Sequence, residues 1–332
     1  MPFRPALTLG ALLALAILPA LAQTGPLPGK TYRVGYSQIV DHPALNATRQ
    51  GFLDGLKEAG FESGKNLDFE YQNAQGAVGN ARMIADKFVA DHLDLLAPCT
   101  TPNVQATIRV ARGTGIPVVF GCVSNPVDSG IVASLTQPTG TNVTGIYTLQ
   151  PADQMIDVIA ELLPKAKTVG ILYNGAETNS VSAVALARAE ATRKGLAVQD
   201  VQVASTADVR AAIDALVGRV DVVFTPQDNT IASAFDAVLK VTRDKGIPLV
   251  SLDTTAAQRG ALASFGIDQY QSGLAWARQV AVPVLLGRDP ATFTPVNYRD
   301  FELYLNADAA RAAGVTIPEP LRTRAKTIYG QN

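Results

Sequence analysis

The sequence predicts an α/β protein folded as two lobes, each a parallel sheet with helices on both faces. Three observations predict it. Apolar strand-like runs alternate with amphipathic helical stretches along most of the chain, and such alternation builds parallel sheets wound on both faces. The strand runs are rich in Val, Ile and Leu, as strands covered on both sides require. The series also restarts: "KTYRVGYS" and "PKAKTVGILYN" each bring a basic approach, an apolar strand and a polar turn into a helix. At 332 residues the chain exceeds the usual single domain, and two smaller sheets suit it better than one large one.

The elements follow in order. Arg4, the apolar run "LTLGALLALAILPALA" and the small-x-small triplet Ala20-Leu21-Ala22 read as a signal peptide over 1–22, cut near Ala22-Gln23. The run is short for a membrane span, which needs about 20 residues. No stop-transfer charges follow it, and no Cys follows that could carry a lipid. A periplasmic or secreted protein is expected; an uncleaved, membrane-anchored signal is the alternative.

After a short leader, "TYRVGYS", "LDFEYQ", "LDLLAPC", "IPVVFGC" and "NVTGIYT" read as the strands of a first lobe. "TVGILYN", "AVQDVQV", "DVVFTP", "IPLVSLD" and "GALASFGID" read as those of a second. Helical stretches lie between most of them, and many end in Gly, as helix C-termini do. The boundary falls near Thr148 to Pro151. The last segments, "GLAWARQVAVPVLLG" and "VNYRDFELYLNADAARAAGV", add a helix, a strand and a helix that cross back between lobes. The expected N-terminal lobe is 30–148 plus about 265–295, and the C-terminal lobe 149–264 plus about 296–332.

Composition excludes several classes. The 28 basic and 29 acidic residues are spread along the chain, so no basic block offers a nucleic-acid surface. There are two histidines, His42 and His92, and no H-E-x-x-H, which argues against a zinc site. No G-x-S-x-G elbow and no G-x-G-x-x-G after a strand are present, so neither a hydrolase nor a dinucleotide-binding protein is indicated, and no cofactor is expected. "GPLPGKT" has the wrong spacing for a P-loop and precedes a strand. Trp276 lies on an apolar helix face and reads as packing. Cys99 and Cys122 end two consecutive strand runs; they either form a disulfide at that edge or stay two small buried hydrophobes.

Open parallel sheets bind ligands beyond the carboxyl ends of their strands. Two lobes facing each other then make a cleft lined by those ends. In the first lobe the ends carry Ser37 and Gln38, with His42 nearby, then Thr100 and Thr101, then Ser124, Asn125 and Asp128. In the second they carry Tyr173, Asn174 and Glu177, then Asp228 and Asn229, then Asp253. Lys and Arg are almost absent there, which disfavours a strongly anionic ligand. A small zwitterion fits better: helix N-terminal N–H groups hold a carboxylate, and a carboxylate holds an amine. Capping is the competing explanation for Thr101, Thr225 and Asp228, since Thr101-Pro102 and Thr225-Pro226 both have the form of a helix start.

Five ordered segments, "VGYSQIVDHPALNATRQGFLDGLKEAGF", "VSNPVDSGIVASLTQPTGTNVTG", "LLPKAKTVGILYNGAETNS", "FTPQDNTIASA" and "GALASFGIDQYQSG", resemble the substrate-binding proteins of ABC transporters, in the family with tryptophan- and tyrosine-binding members. The resemblance spans nearly the whole mature chain. It implies a type I periplasmic-binding fold: two Rossmann-like lobes with parallel sheets joined by three crossovers. It also implies a monomer that captures a small molecule and delivers it to an ABC permease. In an amino-acid complex Glu177, Asp228 or Asp253 would hold the ammonium, Thr100 and Thr101 the carboxylate, and Tyr36, Tyr173 and Phe224 would flank an apolar side chain. The competing functions are a sensor presenting its ligand to a membrane receptor, and an enzyme on similar lobes. The enzyme needs an activated nucleophile or an acid–base pair, and the sequence offers only isolated carboxylates and two histidines.

Overall fold

The structure is a computed structural model that describes residues 25–330; the signal peptide and cleavage site expected at 1–22 lie outside the described residues. No helix among the described residues is long and apolar enough to cross a membrane.

Thirteen strands form two sheets among the described residues. In chain order they are β1 (Tyr32–Gln38), β2 (Leu67–Asn73), β3 (Leu95–Cys99), β4 (Val118–Val123), β5 (Val143–Tyr147), β6 (Thr168–Asn174), β7 (Ala197–Val203), β8 (Val222–Thr225), β9 (Leu249–Ser251), β10 (Ala263–Ile267), β11 (Val296–Asn297), β12 (Phe301–Asn306) and β13 (Ala325–Tyr329). The first sheet runs β11-β5-β4-β3-β1-β2 and is parallel throughout. The second runs β13-β12-β10-β9-β8-β6-β7 and has one antiparallel pair, β10 with β12.

The five-strand order 2-1-3-4-5 occurs in both lobes, so the restart seen in the sequence is a repeat of topology. Central strands such as β3 and β8 are buried along their whole length, which explains their unbroken apolar runs. The edge strands β2 and β7 are half exposed and correspondingly polar. Apolar side chains fill both faces of each sheet: Phe52, Trp276 and Val34 on one side of the first, Phe88, Phe120 and Val118 on the other.

The chain passes between sheets three times: after β5, after β10 and after β11. The second and third passages therefore follow Ile267 and Asn297, a few residues beyond the approximate limits read from sequence. β11 and β13 were not among the strands expected. β11 is two residues long and mostly exposed, and β13 is only half-buried, so neither shows an apolar run.

The helices that matter for the site begin at the facing strand ends. They are α1 (Pro43–Glu58) after β1, α2 (Val78–Ala90) after β2, α3 (Thr101–Ala111) after β3, α4 (Ala152–Leu162) after β5 and α5 (Thr178–Arg193) after β6. Next come α6 (Val209–Asp214), α7 (Asn229–Ser233), α8 (Phe235–Asp244), α9 (Ala256–Arg259) and α10 (Gln269–Trp276). α1 and α10 lie against each other with no room for a side chain at the crossing. A Cβ on Gly51 would strike the Tyr270 carbonyl, and one on Gly273 would strike the Thr48 carbonyl. This contact locks the N-terminal ends of both helices at the cleft.

Candidate functional site

Between the two sets of strand ends lies a cavity with about 810 Å³ of empty space, its mouth included. Its polar lining comes from both lobes: His42, Thr100, Thr101 and Ser124 from the first, Asn179, Gln227, Asp228, Asn229 and Asp253 from the second. Its apolar lining includes Leu45, Ile146, Tyr147, Ile231, Phe235 and the Cys122 end of a disulfide. No Lys or Arg among the described residues lines it.

Buried polar atoms are normally hydrogen-bonded, and an unpaired one needs an explanation. Four of them belong to cavity-lining residues: His42 Nδ1, Thr100 Oγ1, Thr101 Oγ1 and Asn179 Oδ1 have no partner among the described residues. Thr100 is the N-cap of α3, yet neither it nor Thr101 caps through its side chain. Capping is thus not what these hydroxyls do. Thr100 also adopts φ 83° and ψ 142°, a region almost reserved for glycine, and such outliers cluster at functional sites.

The ten sequence-predicted residues divide in two. Thr100, Thr101, Asp228, Asn229 and Asp253 line the cavity. Ser37, Gln38, Tyr173, Asn174 and Glu177 are absent from its lining and bond within the protein. Asn103 Nδ2 donates to the carbonyl and hydroxyl of Ser37 at 2.8 and 2.9 Å. Gln38 Nε2 donates to Asp41 and Asn46, and Gln202 Nε2 donates to the Tyr173 hydroxyl. Asn174 Nδ2 donates to Thr230 Oγ1. Glu177 accepts from the N–H groups of Asn229 and Thr230 and from the side chains of Asn179, Asn229 and Thr230. It is a rack that shapes the 227–230 turn.

Asp228 does both jobs. Oδ1 accepts from Ile231 N as the cap of α7, and Oδ2 accepts from Asn174 N and Ser180 Oγ, both at 2.7 Å. Thr225, the other candidate cap, ends β8 and donates to Ser251 Oγ. Burial, with Glu177 adjacent, pushes the Asp228 carboxyl up to about 7 despite its three donors. Asp253 is different. Oδ1 accepts from Thr255 N and Oγ1, while Oδ2 accepts nothing from the described residues, and the residue lines the cavity.

His42 enters the site from the opposite lobe. Burial holds its imidazole below the ordinary range, against the pull of Asp253, Asn229 and Glu177, which favour the charged form. In the sequence His42 follows the first strand, which allows a place in the cleft, but a surface residue at a helix start is the favoured reading there. The aromatic residues expected to flank a ligand do not line the cavity. Tyr36 is buried among Phe52, Phe69, Tyr71 and Trp276, and Phe224 is buried within the second lobe. Tyr147 at the end of β5 and Phe235 at the start of α8 stand at the wall instead. Tyr147 was legible as a strand-end residue; Phe235 follows a one-turn helix, and no local pattern marked it.

The lobes touch around the cavity. Gln150, on the first passage, donates to Ser124 Oγ in one lobe and accepts from Gln227 N in the other, both at 2.9 Å. Ser129 and Thr178 hydroxyls meet at 3.2 Å, and Ser182 donates to Asp128.

A family model for ABC transporter substrate binding proteins matches residues 33–328. The chain belongs to that family. Its members are solute-binding proteins rather than enzymes, and they work outside the cytoplasm with a transporter. A tyrosine-binding protein of Clostridioides difficile is 33% identical over 283 residues, covering 85% of this chain and 81% of that protein. A solved structure from Vibrio cholerae has a TM-score of 0.87 at 39% identity, with 90% and 100% coverage. An ABC domain from Streptococcus pneumonia, in complex with L-Trp, has a TM-score of 0.86 at 30% identity, again covering 90% and 100%. A ligand-free, open substrate binding protein from Clostridium difficile has a TM-score of 0.68 at 32% identity, covering 91% and 100%. The architecture is the type I periplasmic-binding fold.

Proposed function

We propose that this substrate-binding protein captures a free α-amino acid with an aromatic side chain in the interlobe cavity and hands it to an ABC permease. The observation that carries the reading is the cavity itself. It joins the unpaired buried hydroxyls of Thr100 and Thr101 at a helix N-terminus, the Asp253 carboxylate and an apolar wall, and no Lys or Arg among the described residues lines it. The ligand carboxylate takes the Thr100 and Thr101 hydroxyls and the positive end of α3. The ammonium takes Asp253. The side chain lies against Tyr147, Phe235 and Ile231. Asp228, Asn229 and Glu177 shape the turn that faces it.

Relatives that bind tyrosine or tryptophan support the ligand class. The two lobes close by rotation about the three passages. The overlap with the L-Trp complex is much better than with the open, ligand-free structure at nearly equal identity, which supports a closed arrangement. The mature chain works as a monomer in the periplasm or as a secreted protein, after cleavage near Ala22-Gln23, and it binds no nucleic acid.

Mass spectrometry of small molecules released by denaturing the purified protein tests the reading. Recovery of one aromatic amino acid per chain is expected. Recovery of a sugar or a phosphorylated metabolite instead contradicts it.

A further inference from the structure

The disulfide between Cys99 and Cys122 belongs to the wall of the binding cavity, and its neighbours show what it holds. Cys99 ends β3 and Cys122 lies in β4, with Cα atoms 5.1 Å apart. Thr100 follows Cys99 directly at φ 83°, and Cys122 itself has φ 55°. Four non-glycine residues have positive φ among the described residues; Gln75 and His92 lie in surface turns, and the other two flank this bridge.

The ladder between β4 and β5 slips at the same place, between Phe120 and Val123. Gly121 cannot move inward, because a Cβ there would strike the Trp276 ring. The Thr100 amide keeps one tie, to the Gly121 carbonyl at 3.2 Å. Two unfavourable backbone conformations are thus pinned between the Trp276 ring beneath and a covalent link across. Beside them Thr100 and Thr101 line the cavity, and their buried hydroxyls have no protein partners among the described residues.

We infer that the Cys99–Cys122 bridge is a positioning element of the binding site: it holds Thr100 in the backbone conformation that presents both hydroxyls to the ligand. A bridge serving only the fold would alter unfolding and leave affinity unchanged. The inference rests on the amino-acid reading for its ligand, but its backbone half stands apart from that reading.

The test compares oxidised mature protein, the same protein reduced with a phosphine, Cys99→Ala/Cys122→Ala, and Cys99→Ala/Cys122→Gly. Glycine tolerates positive φ, so the last variant separates backbone conformation from the covalent link. Calorimetry gives Kd for L-tryptophan and L-tyrosine, and hydrogen exchange of ligand-free protein reports residues 99–104 and 121–125. Loss of the bridge is expected to weaken binding at least tenfold and to speed exchange in both segments. The glycine variant is expected to recover part of the affinity lost in the alanine variant. Kd within twofold of the oxidised protein, with exchange unchanged, overturns the inference. If the oxidised protein binds neither amino acid, the ligand assignment fails and exchange alone decides: faster exchange confined to both segments upholds the positioning role, whereas unchanged exchange, or exchange raised throughout the fold, overturns it. Should the double variants not fold, the reduced protein kept cold supplies both readouts.

Discussion

Thr101 shows how one side chain separates binding from stability. Its hydroxyl is buried beside the cavity with no protein partner, so valine, of nearly the same shape, removes nothing the protein uses for itself. Thr101→Val is expected to weaken amino-acid binding about tenfold, about 1.4 kcal/mol, while the melting temperature of the ligand-free protein does not fall. Calorimetry and thermal unfolding on the same samples check both halves. Asp228 makes a prediction about pH. Its folded-state pKa stands at about 7 against an ordinary 3.8, so the folded state binds that proton more tightly than the unfolded chain does. The stability it contributes is complete below the ordinary value and is lost as pH rises through about 7. His42 runs the other way: its pKa is lowered, so its contribution is lost as pH falls below the ordinary 6.5. Denaturant titrations of wild type and Asp228→Asn from pH 4.5 to 8 isolate the first effect. The wild-type stability is expected to decline over that range relative to the variant, and parallel curves would contradict the assignment.

Sequence reasoning at this scale located the strand ends but could not sort them. Glu177 and Asp253 are both carboxylates just beyond a strand. Only the folded turn shows that Glu177 is saturated by donors from the 229–230 segment, whereas Asp253 lines the cavity and is bonded through Oδ1 alone. Ser37 is drawn away by Asn103, a partner from a different strand end, and no local spacing records such a pairing.

At the scale of elements, the strand–helix alternation was legible because buried parallel strands must be apolar along their length. The short strands β11 and β13 escaped for the converse reason. Helix packing is where the fold reaches the site. Gly51 and Gly273 let α1 and α10 meet backbone to backbone, and these helices carry His42, Leu45, Gln269 and Ser272 to the cavity at their leading ends. Gly51→Ala gains helix propensity of about 1 kcal/mol, yet the added methyl must force the helices apart, at a cost of about 1–3 kcal/mol or more. The variant is expected to unfold at lower temperature despite that propensity, and a rise in melting temperature would show that the contact is looser than described.

The whole molecule works through the relation between its lobes. Gln150 sits on a passage and bonds to both sides, to Ser124 and to Gln227. Those bonds exist only when the lobes are together, so they bias the closed form. Gln150→Ala is expected to weaken binding about five- to tenfold, because ligand must then supply the closure energy that the side chain contributed. Small-angle scattering of the variant at subsaturating ligand is expected to show a larger radius of gyration than wild type at the same concentration. Identical scattering and affinity would remove Gln150 from the closing machinery. The two-lobed plan and the position of the cleft could be read from the repeat of strand series. Which residues cross the cleft could not, because Gln150 lies in a connection whose sequence looks like any polar linker.

The most direct test of the account is a calorimetric titration of L-tryptophan and L-tyrosine into the ligand-free mature protein, run beside Asp253→Asn. One molecule of at least one of them should bind per chain, with Kd on the order of 1 μM or tighter, and the variant should lose at least tenfold in affinity while staying folded. No saturable heat from either amino acid, or an Asp253→Asn variant that binds as wild type does, would contradict it.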